Sequence, residues 1–194
     1  MTAKAHGAAP CWPALDAGAH VLEFYREDGK LIASLTECIE SALREGDAIV
    51  VIASATKHAA LRERLTQRDT HMETAEAQGR YVSFDAAGTL ARFMAGGLPD
   101  AARFGALMAE IVGNAEGAAH GPRGRAALFD EMEAMLWRGP EGPGAALRLE
   151  QLWNALARAY PFSLRCAYPW DGGNEASEAV TSLRAAHSLV VGPD

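Results

Sequence analysis

Side chains that could bind a small molecule follow the hydrophobic segments of this 194-residue chain. In an open parallel sheet, ligands bind outside the carboxyl ends of the strands, where the strand order reverses. Aromatic rings beside carboxylates and an arginine suit such a pocket. We therefore predict a ligand-binding site made of the residues that stand at these ends: Tyr25, Arg26, Thr56, Asp85, Glu131, Tyr168 and Trp170.

Some of these residues have a simpler interpretation as helix caps. Asp85, Thr56 and the nearby Ser54 stand just before predicted helices. A side-chain oxygen at that position accepts a hydrogen bond from a backbone N–H group in the first turn. Capping and ligand binding both stay open for each residue taken singly.

The junction between the first strand and the first helix disfavours nucleotide hydrolysis. A phosphate loop of the G-x-x-x-x-G-K-[ST] type holds phosphates with backbone amides and a lysine. Residues 25–31 contain Gly29 and Lys30 but lack the first glycine and the hydroxyl residue. Glu27 and Asp28 would also repel phosphate groups. No G-x-G-x-x-G sequence occurs elsewhere in the chain.

Asp130 and Glu131 follow a hydrophobic segment and resemble the acidic end of a Walker B strand. We interpret them as structural, because a strand that ends in acids is common and no Walker A sequence accompanies this one. The G-x-S-x-G sequence of hydrolases is also absent. No catalytic residue is therefore predicted, and no enzyme activity is expected.

Neither metal ligands nor disulfides are expected. The histidines form no H-x-x-x-H or H-E-x-x-H pair, and His20 and His187 fit strand or helix ends where a ring nitrogen meets a backbone carbonyl. Cys11, Cys38 and Cys166 are widely spaced without a C-x-x-C pair, so no disulfide framework is predicted. We interpret Cys38 and Cys166 as small buried hydrophobic side chains, and we expect no cofactor.

Alternating strands and helices position these residues. Apolar runs and β-branched or aromatic residues predict strands at 20–25, 48–53, 79–85, 125–129, 162–168 and 188–191. Apolar residues spaced three or four apart predict helices that include 31–43, 100–112 and 175–187. Glycine, alanine and proline predict loops at 113–124 and 139–144. The fold class is therefore an α/β three-layer sandwich with a mostly parallel central sheet and helices on both faces.

Composition sets limits on the class of protein. With 49% hydrophobic and 22% charged residues, the chain can form a core, which we assign to one domain at 18–194 after a flexible leader at 1–17. A net charge of −7 weighs against a nucleic-acid partner. No apolar run is long enough to span a membrane, and the leader lacks the features of a signal peptide. We expect a cytoplasmic protein.

Several segments together resemble the MEDS domain family, the methanogen/methylotroph, DcmR-type sensory domain. The resemblance extends from about residue 20 to residue 190, in the same order as in the family. The segments that carry it lie at 20–25, 52–58, 79–86, 93–100, 131–137, 149–154, 162–169 and 186–188.

This resemblance implies a RecA/KaiC-like core that has lost its phosphate loop. Members of the family are fused to histidine kinases or DNA-binding regulators, and they are proposed to sense small molecules such as hydrocarbon derivatives. We expect no such output domain in this chain. We therefore expect a stand-alone sensor that binds a small-molecule ligand and signals to a partner such as a histidine kinase or transcription regulator, or through homo-oligomers.

Two alternatives from other classes stay open. One is a residual nucleotide-binding or nucleotide-hydrolysing enzyme that uses Asp130 or Glu131 with magnesium. The other is a protein-interaction module without a ligand, in which Tyr25 and Trp170 fill a collapsed cleft. A sizeable exposed apolar patch would favour this second alternative, because it would provide a surface for a partner.

Overall fold

A computed structural model gives the structure of residues 3–5, 10–68, 71–121, 124–170, 172 and 177–192. The strands in these ranges are β1 (Ala3–Ala5), β2 (His20–Tyr25), β3 (Ala48–Ala53), β4 (Tyr81–Asp85), β5 (Met94–Ala95), β6 (Leu98–Pro99), β7 (Ala126–Asp130), β8 (Phe162–Pro169) and β9 (Leu189–Val191). The α-helices are α1 (Asp28–Glu45), α2 (Ala55–Gln67), α3 (Met72–Ala77), α4 (Ala86–Phe93), α5 (Ala101–Ala118), α6 (Met132–Arg138), α7 (Gly142–Ala157) and α8 (Glu178–Ala185). A short 3-10 helix spans Trp12–Ala14.

Seven of the strands form one parallel sheet in the order β1-β9-β2-β8-β7-β3-β4. Strands β3 and β7 are buried along their whole length, which explains why β3 is a continuous apolar run without alternation. The six strands predicted from the sequence are confirmed. The two-residue strands β5 and β6 form a separate antiparallel pair that the sequence did not predict.

The helices cover both faces of the sheet. Helices α1, α2 and α3 pack on one face, through side chains that include Leu35, Ile39 and Leu61. Helices α4 to α8 pack on the other face, around Phe104 and Trp153. The predicted α/β three-layer sandwich is therefore confirmed.

Two predicted loops are shorter than expected. Helix α5 continues through residues 113–118, because the buried Ala115 extends its apolar stripe and Gly113 is placed on the exposed side. That packing outweighs the weak helix propensity of glycine, about 1 kcal/mol per residue. Helix α7 begins at Gly142, with Pro143 in its first turn, where the missing N–H group costs nothing.

The prediction that the cysteines form no disulfide is wrong, since Cys11 is bonded to Cys38. The 3-10 helix packs against α1 with Trp12 only 2% exposed, which brings the two Cα atoms to 4.7 Å. A separation of 27 residues carries no sign of this approach in the sequence. Cys166 is a free, buried thiol, as predicted.

The division into a leader at 1–17 and a domain at 18–194 stays a prediction. Among the leader residues that the structure describes, β1 pairs with β9 and Trp12 is buried. Residues 1–2 and 6–9 of the leader, and residues 175–176 of the predicted last helix, lie outside the described residues.

Candidate ligand-binding site

A cavity of about 610 Å³ opens at the carboxyl ends of β2, β7 and β8. Strand β2 leads into α1 on one face of the sheet, whereas the neighbouring β8 leads to α8 on the other face. The strand order reverses at such a point, and the two connections diverge to leave a crevice. The described residues that line the cavity are Tyr25, Arg26, Asp28, Lys57, Glu131, Ala134, Met135, Arg138, Pro169 and Trp170.

Four of the predicted site residues meet in this cavity: Tyr25, Arg26, Glu131 and Trp170. Each follows, or ends, one of the strands that converge there. The ring of Trp170 packs edge-on against Phe24, with ring centroids 4.9 Å apart, and its backbone N–H donates to the carbonyl of Tyr25 (2.6 Å). This anchoring holds an aromatic wall at the mouth of the cavity.

The other three predicted residues lie outside the lining. The Asp85 carboxylate accepts a hydrogen bond from the N–H of Gly88 (2.7 Å), which confirms the capping interpretation for this residue. Thr56 is exposed in the first turn of α2. Tyr168 is buried on the α7 side of the sheet, where its hydroxyl donates to Glu150 (2.7 Å). Their roles in ligand binding stay predictions.

Lys57 and Asp28 are lining residues that the sequence analysis missed. The Lys57 Nζ lies 2.9 Å from Glu131 Oε2, 3.6 Å from Asp28 Oδ1 and 5.7 Å from the centroid of the Tyr25 ring. Burial alone would lower the pKa of Lys57, but Glu131 and the other anionic groups outweigh burial and raise it. Lys57 is therefore a cation whose charge Glu131 already compensates. The sequence signal that could have identified Lys57 is its position in the first turn of α2.

Glu131 is fixed by a second contact, since its Oε1 accepts a hydrogen bond from the backbone N–H of Ser54 (2.6 Å). Arg26 differs from these residues. It is exposed, and its side chain makes no hydrogen bond or ion pair within the part of the chain that the structure describes. The described part of the cavity lining therefore combines a compensated lysine–glutamate pair with the exposed guanidinium group of Arg26.

The connection between β2 and α1 explains why no phosphate loop was found. Strand β2 ends at Tyr25 and α1 begins at Asp28, so only two residues join them. Gly29 already lies within the helix. A connection of this length cannot wrap its amide groups around a phosphate chain.

Asp130 is completely buried and points away from the cavity lining. Its Oδ2 and the Oε1 of Glu133 both accept from the indole N–H of Trp153, at 2.9 and 2.6 Å. Burial raises the pKa of Asp130 to about 7, and burial followed by the charge of Asp130 raises the pKa of Glu133 well above its ordinary value. For Asp130, these contacts support the interpretation that this Walker B-like acid has a structural role.

A second cavity, of about 680 Å³, lies at the opposite end of the sheet beside α1 and α3. Its residues include His71, Arg80 and His120. Arg80 donates to the carbonyl of Leu43 (2.8 Å), so its guanidinium group already stabilises the C-terminus of α1. This cavity is far from the strand ends where the predicted residues gather.

A separate polar cluster is buried between the sheet and helices α7 and α8, where side chains from four parts of the chain converge: His20, Glu150, Cys166 and His187. Burial, and then repulsion from His187, lowers the pKa of His20. Burial opposes ionisation of Glu150, but His187 and His20 outweigh it and lower its pKa. Burial and the neighbouring carboxylates raise the pKa of the Cys166 thiol.

The fold and the site thus define an α/β protein with a parallel sheet, an open cavity at its switch point and no phosphate loop in the first strand–helix connection. The family model described as MEDS, the methanogen/methylotroph, DcmR sensory domain, matches residues 19–188. This match covers most of the chain, so the chain belongs to the MEDS family of sensory domains. No curated protein matches the chain.

Membership of this family supports a sensory or regulatory role, and MEDS is a sensory domain rather than a known enzyme family. Within the described residues, no helix is both long and apolar enough to cross a bilayer.

Proposed function

We propose that this domain senses a small organic molecule that carries an anionic group, and that it binds this molecule in the 610 Å³ cavity at the strand ends. The observation that carries the proposal is the meeting of Tyr25, Arg26 and Trp170 in one open cavity at the switch point of the sheet. The three residues come from the ends of two neighbouring strands, β2 and β8.

The charges in the cavity favour an anionic ligand, because the described lining has three cationic side chains (Arg26, Lys57 and Arg138) and two carboxylates (Asp28 and Glu131). Lys57 is compensated by Glu131, whereas Arg26 is exposed and makes no side-chain bond among the described residues. A guanidinium group binds a carboxylate with two parallel hydrogen bonds. The rings of Tyr25 and Trp170 supply an apolar surface for the rest of the molecule.

Helix α6 provides a route for the signal, because Ala134, Met135 and Arg138 form one wall of the cavity. A ligand that contacts this wall favours one arrangement of α6, by an amount limited to its difference in affinity for the two arrangements. Met135 is one of the few exposed large hydrophobic side chains in the described chain. The proposed receiver is a cytoplasmic histidine kinase, a transcription regulator or a second copy of the domain.

The two alternatives have less support. A nucleotide-hydrolysing enzyme would need a phosphate site, but the connection from β2 to α1 has two residues and Asp130 is buried. A ligand-free interaction module would need a filled cleft, whereas Tyr25 and Trp170 border an open cavity.

The test begins with a thermal-shift screen of small organic acids and neutral hydrocarbon derivatives, with ATP and GTP added with and without magnesium. A ligand at a hundredfold excess over its Kd stabilises the folded state by about 2.7 kcal/mol. The affinity of each hit is then measured by calorimetry for wild type, Arg26→Ala, Trp170→Ala and Arg64→Ala. Arg64 is the matched control, because it is an exposed arginine on α2 outside the cavity.

Loss of a charge-assisted hydrogen bond costs about 1.5–3 kcal/mol, so we expect Arg26→Ala to weaken binding of an organic acid roughly 10- to 100-fold. Trp170→Ala should also weaken it, and Arg64→Ala should not. Equal affinity in all four proteins would place the ligand elsewhere. A magnesium-dependent shift with ATP, and turnover that Glu131→Gln abolishes, would establish the enzyme instead.

A further inference from the structure

The buried cluster of His20, Glu150, Cys166 and His187 holds four different side-chain donors in one small volume. Their donor atoms all lie within 4.8 Å of one another. Each side chain comes from a separate part of the fold: the start of β2, the middle of α7, the middle of β8 and the segment after α8. All four residues are buried, with Glu150 and Cys166 at 0% exposure.

Four of the six distances between the donor atoms are close to the edges of a tetrahedron around a metal ion, and the other two are no longer than 4.8 Å. His20 Nε2 lies 3.2 Å from Glu150 Oε2 and 3.3 Å from Cys166 Sγ. The same Glu150 oxygen lies 3.3 Å from His187 Nε2 and 3.8 Å from Cys166 Sγ. Zinc bonds of about 2.0–2.3 Å place tetrahedral donors roughly 3.3–3.7 Å apart.

The hydrogen bonds of the two histidines leave the correct nitrogens available. His187 Nδ1 donates to the carbonyl of Leu183 (2.7 Å), and His20 Nδ1 donates to Asn154 Oδ1 (3.1 Å). In its neutral form, each imidazole then carries its lone pair on Nε2, directed into the cluster. Among the described residues, His187 Nε2 is buried with no hydrogen-bond partner, although it lies 3.3 Å from Glu150 Oε2. Metal-binding histidines are held in this way by outer partners.

The charges of the four side chains also favour a divalent metal ion. With the ion bound, Glu150 and Cys166 would carry two negative charges as carboxylate and thiolate, the thiol proton having been released to solvent, and the two neutral imidazoles would add none. A divalent cation would make the buried centre neutral, which removes the cost of isolated charge in the core. Imidazole, thiolate and carboxylate are also the donors that Zn²⁺ takes in proteins.

We propose that His20, Glu150, Cys166 and His187 bind one Zn²⁺ ion in a closed, structural centre. Four protein ligands leave no position open for substrate, as in structural rather than catalytic zinc sites. The centre would join β2 and β8 to helix α7 and the segment after α8. This proposal replaces the expectation, drawn from scattered histidines, that no metal is bound, and it is independent of the ligand cavity.

The test measures metal binding by the purified chain after treatment with a chelator. Because the four ligands are buried, ZnCl₂ or CoCl₂ is added both to the folded protein and during refolding from urea. Zinc affinity is measured against a chromophoric chelator. The cobalt form is examined for the intense visible bands of tetrahedral Co²⁺ and for a near-ultraviolet sulfur-to-cobalt charge-transfer band.

We expect wild type to bind one ion per chain and to show the sulfur-to-cobalt band. Cys166→Ser should lose that band, and His187→Gln should weaken zinc binding by more than the roughly 10- to 100-fold expected for the outer-partner variant Asn154→Ala. His58→Gln is the control, because His58 also has a buried unpartnered ring nitrogen but lies outside the cluster.

The proposal is overturned if wild type binds neither zinc nor cobalt, whether the metal is added to the folded protein or during refolding. Binding that Cys166→Ser and His187→Gln both retain also overturns it, since the ion would then lie elsewhere. If Cys166→Ser does not fold, as judged by circular dichroism, the cobalt spectrum of wild type decides. Tetrahedral bands without the sulfur-to-cobalt band would then refute the assignment of Cys166.

Discussion

The sheet contains a buried ion pair whose disruption should be among the most costly single changes in the protein. Arg165 lies in the middle of β8 with 1% of its surface exposed, and its Nε donates to the Glu23 carboxylate on β2 (2.7 Å). Its Nη2 donates to Ser34 Oγ on α1 (2.9 Å). The perturbation is Arg165→Met, which fills a similar space but leaves Glu23 without its cation.

The expected loss of stability follows from the charge of Glu23, which stays buried when Arg165 is replaced. Removing one partner of a buried ion pair costs about 3–5 kcal/mol, because the remaining charge is neither solvated nor paired. Replacing both partners by apolar side chains is often neutral or stabilising. We therefore expect Arg165→Met to lose about 3–5 kcal/mol and the double variant Glu23→Leu/Arg165→Met to recover most of that loss. Against a total stability of about 5–15 kcal/mol, the single change is easily measured.

Urea unfolding followed by circular dichroism provides the assay, and an unchanged m value shows that the same transition is compared. Arg64→Met, at an exposed position on α2, is the control and should stay within about 0.5 kcal/mol of wild type. A cost below about 1 kcal/mol for Arg165→Met would refute the reasoning. So would a double variant whose cost equals the sum of the two single changes.

Two further predictions concern covalent and protonation states. Cys11→Ser should destabilise the oxidised protein by about 3.5 kcal/mol, because the bond to Cys38 closes a loop of 27 residues. Chemical unfolding of wild type and variant, with and without a reductant, measures this loss. An equal loss of stability under both conditions would contradict the prediction. Burial raises the pKa of Asp130 from 3.8 to about 7, so between these values the folded state binds a proton that the unfolded chain releases. The free energy of unfolding of wild type should therefore fall, relative to that of Asp130→Asn, as the pH rises through this window. The expected slope is at most about 1.4 kcal/mol per pH unit. Parallel curves of stability against pH for the two proteins would refute this prediction.

Local sequence pattern was sufficient for the alternation of six strands with helices along the chain and for the layers that cover the sheet. The apolar run of β3, the apolar spacing in α1 and the glycine at the end of α1 each act within a few residues. Gly46 shows this, because it takes the left-handed conformation (φ 93°) that ends the helix. Some errors arose where tertiary packing overrides propensity, as at the C-terminal turn of α5, and others where distant residues meet, as in the bond between Cys11 and Cys38.

The general position of the candidate site also followed from sequence, since parallel strands bring their carboxyl ends to one edge. The sequence did not show which side chains face the cavity. Tyr168 and Trp170 are two residues apart, yet Tyr168 donates to Glu150 in the core and Trp170 lines the cavity. The chain leaves the strand at Pro169, so the alternation that would place both residues on one face ends between them.

The sequence by itself therefore determined the fold class, the family and the edge of the sheet where the candidate cavity lies, because these depend on local pattern and strand direction. Only the tertiary structure decided which distant side chains meet. His20 lies 146 residues from Cys166, and Ser54 lies 77 residues from Glu131. Contacts of this kind depend on the crossing of strands and helices, and no spacing within a short stretch of sequence records them.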